Sequence, residues 1–173
     1  MSAIEDAIKA NQDYARAFKL GSLPMPPARK VAIVACMDAR LTLEPMLGLN
    51  TGDAHIIRNA GGIVNEDVVR SLIISQQLLG TREVMVINHT DCGMLTFKDQ
   101  ELRERLVKNT GKVAIAPAQF NAFRNLEQNV REQVSKLRSH PWILPDMAIR
   151  GFVYDVKSGR LNEVSITELR HVA

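Results

Sequence analysis

The run Val31-Ala32-Ile33-Val34-Ala35-Cys36-Met37 constrains this chain more than any other segment, because seven consecutive apolar residues leave no polar face. β-Branched side chains crowd a helix but fit a pleated strand, and a strand apolar on both sides must be covered on both sides. The run therefore predicts a central strand of a parallel sheet that enters a loop at Asp38-Ala39-Arg40. Residues 54–62 (AHIIRNAGG) read as a second strand ending in glycines, and residues 82–89 (REVMVINH) as a third. Between them Asn65 is a predicted N-cap, and Glu66 and Asp67 suit the positive end of a helix. Val68, Val69, Leu72, Ile73 and Leu79 form its apolar stripe, and Gly80 stops it. Strand, helix and strand in this order specify an α/β fold with a central parallel sheet and flanking helices.

The second half is simpler. Phe123, Leu126, Val130, Val134 and Leu137 mark a long helix ending by His140 and Pro141. Residues 148–156 and 161–166 flank Lys157-Ser158-Gly159 as the strands of a hairpin, which brings in an antiparallel strand. At the other end Ile4, Ala7, Ile8, Ala15 and Phe18, with Tyr14, draw one apolar stripe on a helix. Gly21, Pro24, Pro26 and Pro27 then stop it, so residues 1–27 form a helical arm on a stiff tether. Such an arm either packs on its own body or reaches a second subunit.

The 173 residues are expected to form one domain. Seven apolar residues in a row fall far short of the roughly 18–20 that span a bilayer. A start with Glu5 and Asp6 lacks a secretion signal, which makes the cytoplasm the expected location. The net charge of +3 is interspersed along the chain and argues for no nucleic-acid partner. No glycine pattern of a phosphate loop follows a strand, which removes the main signal for a nucleotide.

Cys36 closes the first predicted strand, His89 closes the third, and Cys92 lies in the turn beyond it. Parallel strands deliver their carboxyl ends to one sheet edge, where α/β proteins place their sites. Two thiolates and an imidazole suit Zn²⁺ with a fourth position left for water. Cysteine is also among the most buried residue types, so two small buried hydrophobes explain the same pattern. Asp38 and Arg40 follow the first cysteine by two and four residues. They make either an ordinary loop ion pair or a carboxylate held off a metal by a bidentate cation.

Three blocks, taken together, carry a resemblance. Cys36-Met37-Asp38-Ala39-Arg40, then Gly52-Asp53-Ala54 leading to Ile57-Arg58-Asn59-Ala60-Gly61, then His89-Thr90-Asp91-Cys92-Gly93-Met94 resemble the signature blocks of the β-class carbonic anhydrases, in order and spacing. The resemblance covers about residues 25–165 and is similar to the short prokaryotic and fungal members. It implies one Zn²⁺ per chain held by Cys36, His89 and Cys92, with Asp38 and Arg40 as a catalytic dyad. It implies reversible hydration of carbon dioxide by water activated on the metal. It also implies a homodimer or a dimer of dimers, with the N-terminal helix embracing the neighbour. The same scaffold includes carbonyl sulfide and carbon disulfide hydrolases, which leaves that substrate class as the alternative. A non-catalytic zinc or adaptor domain is disfavoured, because a structural site needs neither an open position nor a dyad.

One departure from the family pattern stands out. Where the bicarbonate-regulated branch has Trp, three residues before the first cysteine, this chain has Ile33. An open site with Asp38 paired to Arg40 and no bicarbonate switch is expected, with Arg58 as an ion-pair partner of the dyad loop. Gly61 and Gly62 are expected to allow close backbone approach, and Val64, Met94 and Leu95 to wall the substrate. Asp91 is expected to cap a turn, Trp142 to anchor packing, and His55, His140 and His171 to face solvent.

Overall fold

The structure, a computed structural model, describes residues 2–166. His171 lies outside them. Five strands form one sheet: β1 (Val31–Cys36), β2 (Ala54–Asn59), β3 (Glu83–His89), β4 (Ala148–Tyr154) and β5 (Leu161–Glu163). Five helices accompany it: α1 (Ala3–Ala17), α2 (Leu43–Leu47), α3 (Glu66–Leu79), α4 (Asp99–Thr110) and α5 (Leu126–Arg138). The order is β2-β1-β3-β4-β5, the first four parallel and β5 antiparallel to β4; the sequence patterns predict the parallel sheet and the antiparallel last strand, and the structure adds the order. Val31 pairs with both Ala54 and Glu83, and Glu83 with Ala148, so the four parallel strands start level and finish at one edge.

Burial follows from the doubly apolar first strand. Ala32 and Val34 join Val84 and Val86 on one face beneath Val68 and Leu72 of α3 and Val134 and Leu137 of α5. Ile33 and Ala35 join Ile87 and Phe152 on the other face, against Leu43 of α2. A fully buried aliphatic side chain contributes roughly 1.5–3 kcal/mol, so β1 anchors both layers. Helix α3 starts and stops where predicted: the Asn65 side chain accepts from Val68 N at 3.0 Å, and Gly80 takes the left-handed conformation just past the end. Gly151 of β4 leaves the gap that α5 fills, because a Cβ there would run into Val130 and come within 3.1 Å of Val134 Cγ2.

Several expectations are corrected. Phe123 stands before α5 instead of within it, because Asn125 caps the helix by accepting from Gln128 N at 2.9 Å. The sequence patterns above do not mark helices α2 and α4: α2 is only five residues long, and α4 buries none of its residues. Trp142 is 70% exposed, since its neighbour Ile143 takes the core position and Gln76 Nε2 holds the Trp142 carbonyl at 2.6 Å. His55 is half-buried, with Nδ1 2.7 Å from Ser75 Oγ, which in turn lies 2.6 Å from Thr81 Oγ1. That chain braces β2 against α3. His140 is half-buried too, and its Nδ1 accepts from Trp142 N at 3.2 Å. Arm helix α1 forms as predicted with a Ser2–Glu5 capping box, and it buries none of its residues.

Candidate metal centre

Cys36 and His89 end the neighbouring strands β1 and β3, so parallel pairing alone brings a thiol and an imidazole to one edge. Cys92 reaches them through a tight turn in which Asp91 takes a left-handed φ of 55°, a conformation Asp tolerates better than most residues. Thr90 N donates to Tyr154 O at 2.9 Å, and Thr90 Oγ1 accepts from Val156 N at 3.1 Å, which ties the turn to the end of β4. The ligand atoms of Cys36, His89 and Cys92 all lie within 4.8 Å of one another, and all three residues are buried. A tetrahedral zinc separates its ligand atoms by about 3.5 Å, so small side-chain movements close the group on an ion.

The histidine makes the strongest case that these residues fit a metal. His89 is fully buried, and its Nδ1 lies 2.8 Å from the Thr90 carbonyl. A carbonyl only accepts, so Nδ1 carries the proton and Nε2 presents a lone pair toward the sulfurs. Nε2 has no hydrogen-bond partner, although an unpaired buried polar atom costs about 1–3 kcal/mol. Electrostatics point the same way. The Cys92 thiol beside it, more than any other group, lowers the Cys36 pKa, against the opposing effect of burial. The Cys36 thiolate in turn pushes the Cys92 thiol up. Burial disfavours the His89 imidazolium, yet Cys36, the Thr90 carbonyl and Asp38 outweigh it and raise that pKa. Concentrated negative charge around a free lone pair is an environment that a divalent cation stabilises.

Asp38 and Arg40 flank this group. Arg40 Nε donates to Asp38 Oδ1 at 2.9 Å and Nη2 to Oδ2 at 2.8 Å, while Oδ2 stays 3.8 Å from His89 Nε2. The Arg40 side chain, then its backbone N–H, holds the Asp38 carboxyl far below the usual range. Arg58 belongs to the same loop, but by hydrogen bonds: Nε donates to Cys36 O at 3.0 Å and Nη2 to Asp38 O at 2.6 Å. No ion pair of Arg58 occurs among the described residues, which corrects that expectation. Asp91 is corrected as well. Its carboxylate accepts from Arg40 Nη1 at 2.7 Å, so it serves as a second acidic partner of Arg40 instead of a turn cap. Ile33 sits fully buried in the core on the α2 side of the sheet.

Gly61 and Gly62 both take left-handed conformations, with φ of 82° and 61°. A Cβ on Gly62 would lie 3.1 Å from the backbone of Ala35 and Cys36, and Gly61 N donates to Cys36 Sγ at 3.3 Å. Met94 and Leu95 join Cys36 and Cys92 in one apolar cluster with Leu41, Phe97 and Phe123. Val64 packs elsewhere, in the core beneath α3 and α5, because its N–H is drawn to Gln133 Oε1 at 2.9 Å. Sequence reasoning missed Leu41 and Phe97, which periodicity does not mark, and counted Phe123 on the helix stripe instead of at the site. It also missed Asn129 and Gln133, which did carry a signal: two amides, one turn apart, on the buried stripe of α5.

Comparison with known proteins agrees with this geometry. The family model described as carbonic anhydrase matches residues 31–161. The chain is 47% identical over 166 residues to beta-carbonic anhydrase 1 of Mycobacterium tuberculosis, covering 95% of this chain and 99% of that one. It is 34% identical over 182 residues to a carbon disulfide hydrolase of an Acidianus species, covering 92% and 88%. Among solved structures, the carbonic anhydrase of Streptococcus mutans superimposes with a TM-score of 0.90 at 47% identity, covering 95% of this chain and 99% of that one. On the sheet, the Cys–His–Cys group and these matches, the chain belongs to the β-carbonic anhydrase family.

Proposed function

We propose that this chain is a zinc enzyme that reversibly hydrates carbon dioxide to bicarbonate and a proton. The observation that carries the reading is the unpartnered Nε2 of His89, buried within 4.8 Å of the sulfurs of Cys36 and Cys92. Cys36, His89 and Cys92 would hold the ion, and three protein ligands leave one position open. When bound, zinc supplies a water acidified from a pKa of 15.7 to about 7.

The remaining steps fall to the chain's own residues. Asp38 accepts a hydrogen bond from the attacking water and turns a lone pair toward the substrate carbon. Arg40 keeps Asp38 ionised and off the ion through its two parallel bonds. Met94 and Leu95 provide an apolar wall, which suits a small, linear, uncharged substrate. Gly61 and Gly62 let the backbone come close enough to complete that wall. The proton leaves to buffer or to a second subunit. His55 stands at the far end of β2 from this edge, opposite Ala32, and serves no shuttle here.

The arm and its surroundings support a homodimer or a dimer of dimers. Ile4, Ile8, Tyr14 and Phe18 are exposed by 47–73%, and a groove lined by Val69, Ile73, Ile74 and Trp142 runs along α3. The apolar stripe of one chain's α1 fits against the body of its partner. We read residues 1–173 as one such domain. Reduced thiols at the centre suit the cytoplasm, and among the described residues no helix is long and apolar enough to cross a membrane.

The carbon disulfide hydrolase relatives favour a second reading on the same residues: hydrolysis of carbonyl sulfide, or of carbon disulfide with two waters, to carbon dioxide and hydrogen sulfide. Sulfur for oxygen changes substrate size by about one methylene, worth roughly 1–3 kcal/mol of discrimination. Metal analysis with parallel assays of carbon dioxide hydration and sulfide release on one preparation tests both. Metal-free, reduced, folded protein that retains either activity sinks the zinc reading.

A further inference from the structure

Four hydrogen bonds between buried amides run from α5 to the glycine turn. Val64 N donates to Gln133 Oε1 at 2.9 Å, and Gln133 Nε2 donates to Asn129 Oδ1 at 2.9 Å. Asn129 Nδ2 donates to Asn88 Oδ1 at 2.7 Å, and Asn88 Nδ2 donates to Gly61 O at 2.8 Å. The three side chains are 1–4% exposed, and each uses both ends of its amide. The chain begins at an N–H, which can only donate, and ends at a carbonyl, which can only accept. Rotating any one amide by 180° would set donor against donor and acceptor against acceptor, so one arrangement is fixed for all three.

Both anchor points belong to the turn 61–64, and the other side of that turn faces the centre through the bond from Gly61 N to Cys36 Sγ. Three plain aliphatic residues would have filled this space more cheaply, since a buried polar network must be fully satisfied merely to break even. We propose that Asn88, Asn129 and Gln133 are positioning residues that aim the Gly61 N–H at the sulfur of Cys36 and thereby tune the thiolate as a metal ligand. The inference rests on the zinc reading above. A hydrogen bond to a ligating thiolate withdraws electron density from sulfur, so its loss makes the thiolate a stronger donor to the ion. Groups around a ligand that act in this way typically change metal affinity or activity by about 10- to 100-fold when removed.

Cobalt(II) substitution reads the sulfur directly, through the thiolate-to-metal charge-transfer absorption. Asn129→Asp is nearly isosteric; it keeps the acceptor for Gln133 but has no N–H for Asn88. Gln133→Glu keeps the acceptor for Val64 and has no N–H for Asn129. Val134→Ala, on the same helix and outside the network, is the control for lost stability alone. The expected result is a charge-transfer band moved to longer wavelength in both network variants and unmoved in the control. Faster hydrogen exchange at the Gly61 amide and an acid limb of the hydration profile displaced to higher pH should accompany it. An unmoved band in a folded network variant, or an equal displacement in Val134→Ala, overturns the positioning role. Wild-type protein that takes up cobalt without a thiolate band, or takes up none, instead overturns the metal reading itself.

Discussion

Arg40 grips Asp38 from two residues away through paired bonds of 2.9 and 2.8 Å, and its third nitrogen reaches Asp91 at 2.7 Å. One guanidinium thus spans the loop after β1 and the turn after β3, the two segments that carry the ligand set. A lysine offers a point charge and no planar fork. Arg40→Lys and Asp38→Ala should each retain zinc while losing hydration activity, Asp38→Ala by about 100-fold or more on the scale of general acid–base groups. Metal content and stopped-flow hydration on the same sample check this. Full activity in Asp38→Ala would remove Asp38 from the mechanism.

His89→Ala removes the nitrogen whose free lone pair faces the sulfurs. The variant should purify with little zinc and no activity. Its melting temperature should match that of chelator-treated wild type, because an ion that binds only the folded state stabilises it by mass action. Elemental analysis and thermal melts with and without chelator distinguish this from a general packing defect, which would leave the variant below apo wild type.

Asp99 holds the segment leading to Phe123 by accepting from the backbone of Phe120, Asn121 and Ala122 at 2.7, 3.1 and 2.9 Å. Burial works against its charge, but those three N–H groups prevail and lower its pKa. A folded pKa below the unfolded value of about 3.9 means stability that is complete above that value and lost as pH falls through the folded one. Asp99→Asn should therefore be destabilised by about 1–2 kcal/mol at neutral pH. It should also show a shallower loss of stability than wild type between about pH 5 and 2. Urea midpoints across that range measure both; parallel curves would refute the assignment.

Gly151→Ala places a methyl group against Val130 and Val134 where α5 crosses β4. Overpacking of this kind costs about 1–3 kcal/mol, and the strain falls on the helix that carries Asn129 and Gln133. A urea midpoint equal to wild type would show that α5 can shift to make room.

Deleting residues 2–20 removes a helix that buries nothing in its own chain. The body should keep its far-ultraviolet spectrum less one helix, while the mass from light scattering falls toward that of a single chain. Retention of the wild-type mass would assign subunit contacts to other surfaces.

How far the sequence carries depends on whether an interaction is local or periodic. The doubly apolar run at Val31–Met37, the Asn65 and Gly80 caps and the glycines after β2 are each settled within a few residues, so the sheet and α3 are legible directly. Parallel strands must deliver Cys36 and His89 to one edge, so their convergence is legible, while the set with Cys92 was implied by the resemblance of the three signature blocks. Partners set by the path of a distant segment were not legible. The Arg40–Asp91 pair, the place of Phe123 beside Met94, and the exposure of Trp142 depend on loops that have no repeat to read. The chain of amides from Gln133 to Gly61 depends on how α5 lies against β3, and only packing in three dimensions decides which buried donor meets which acceptor.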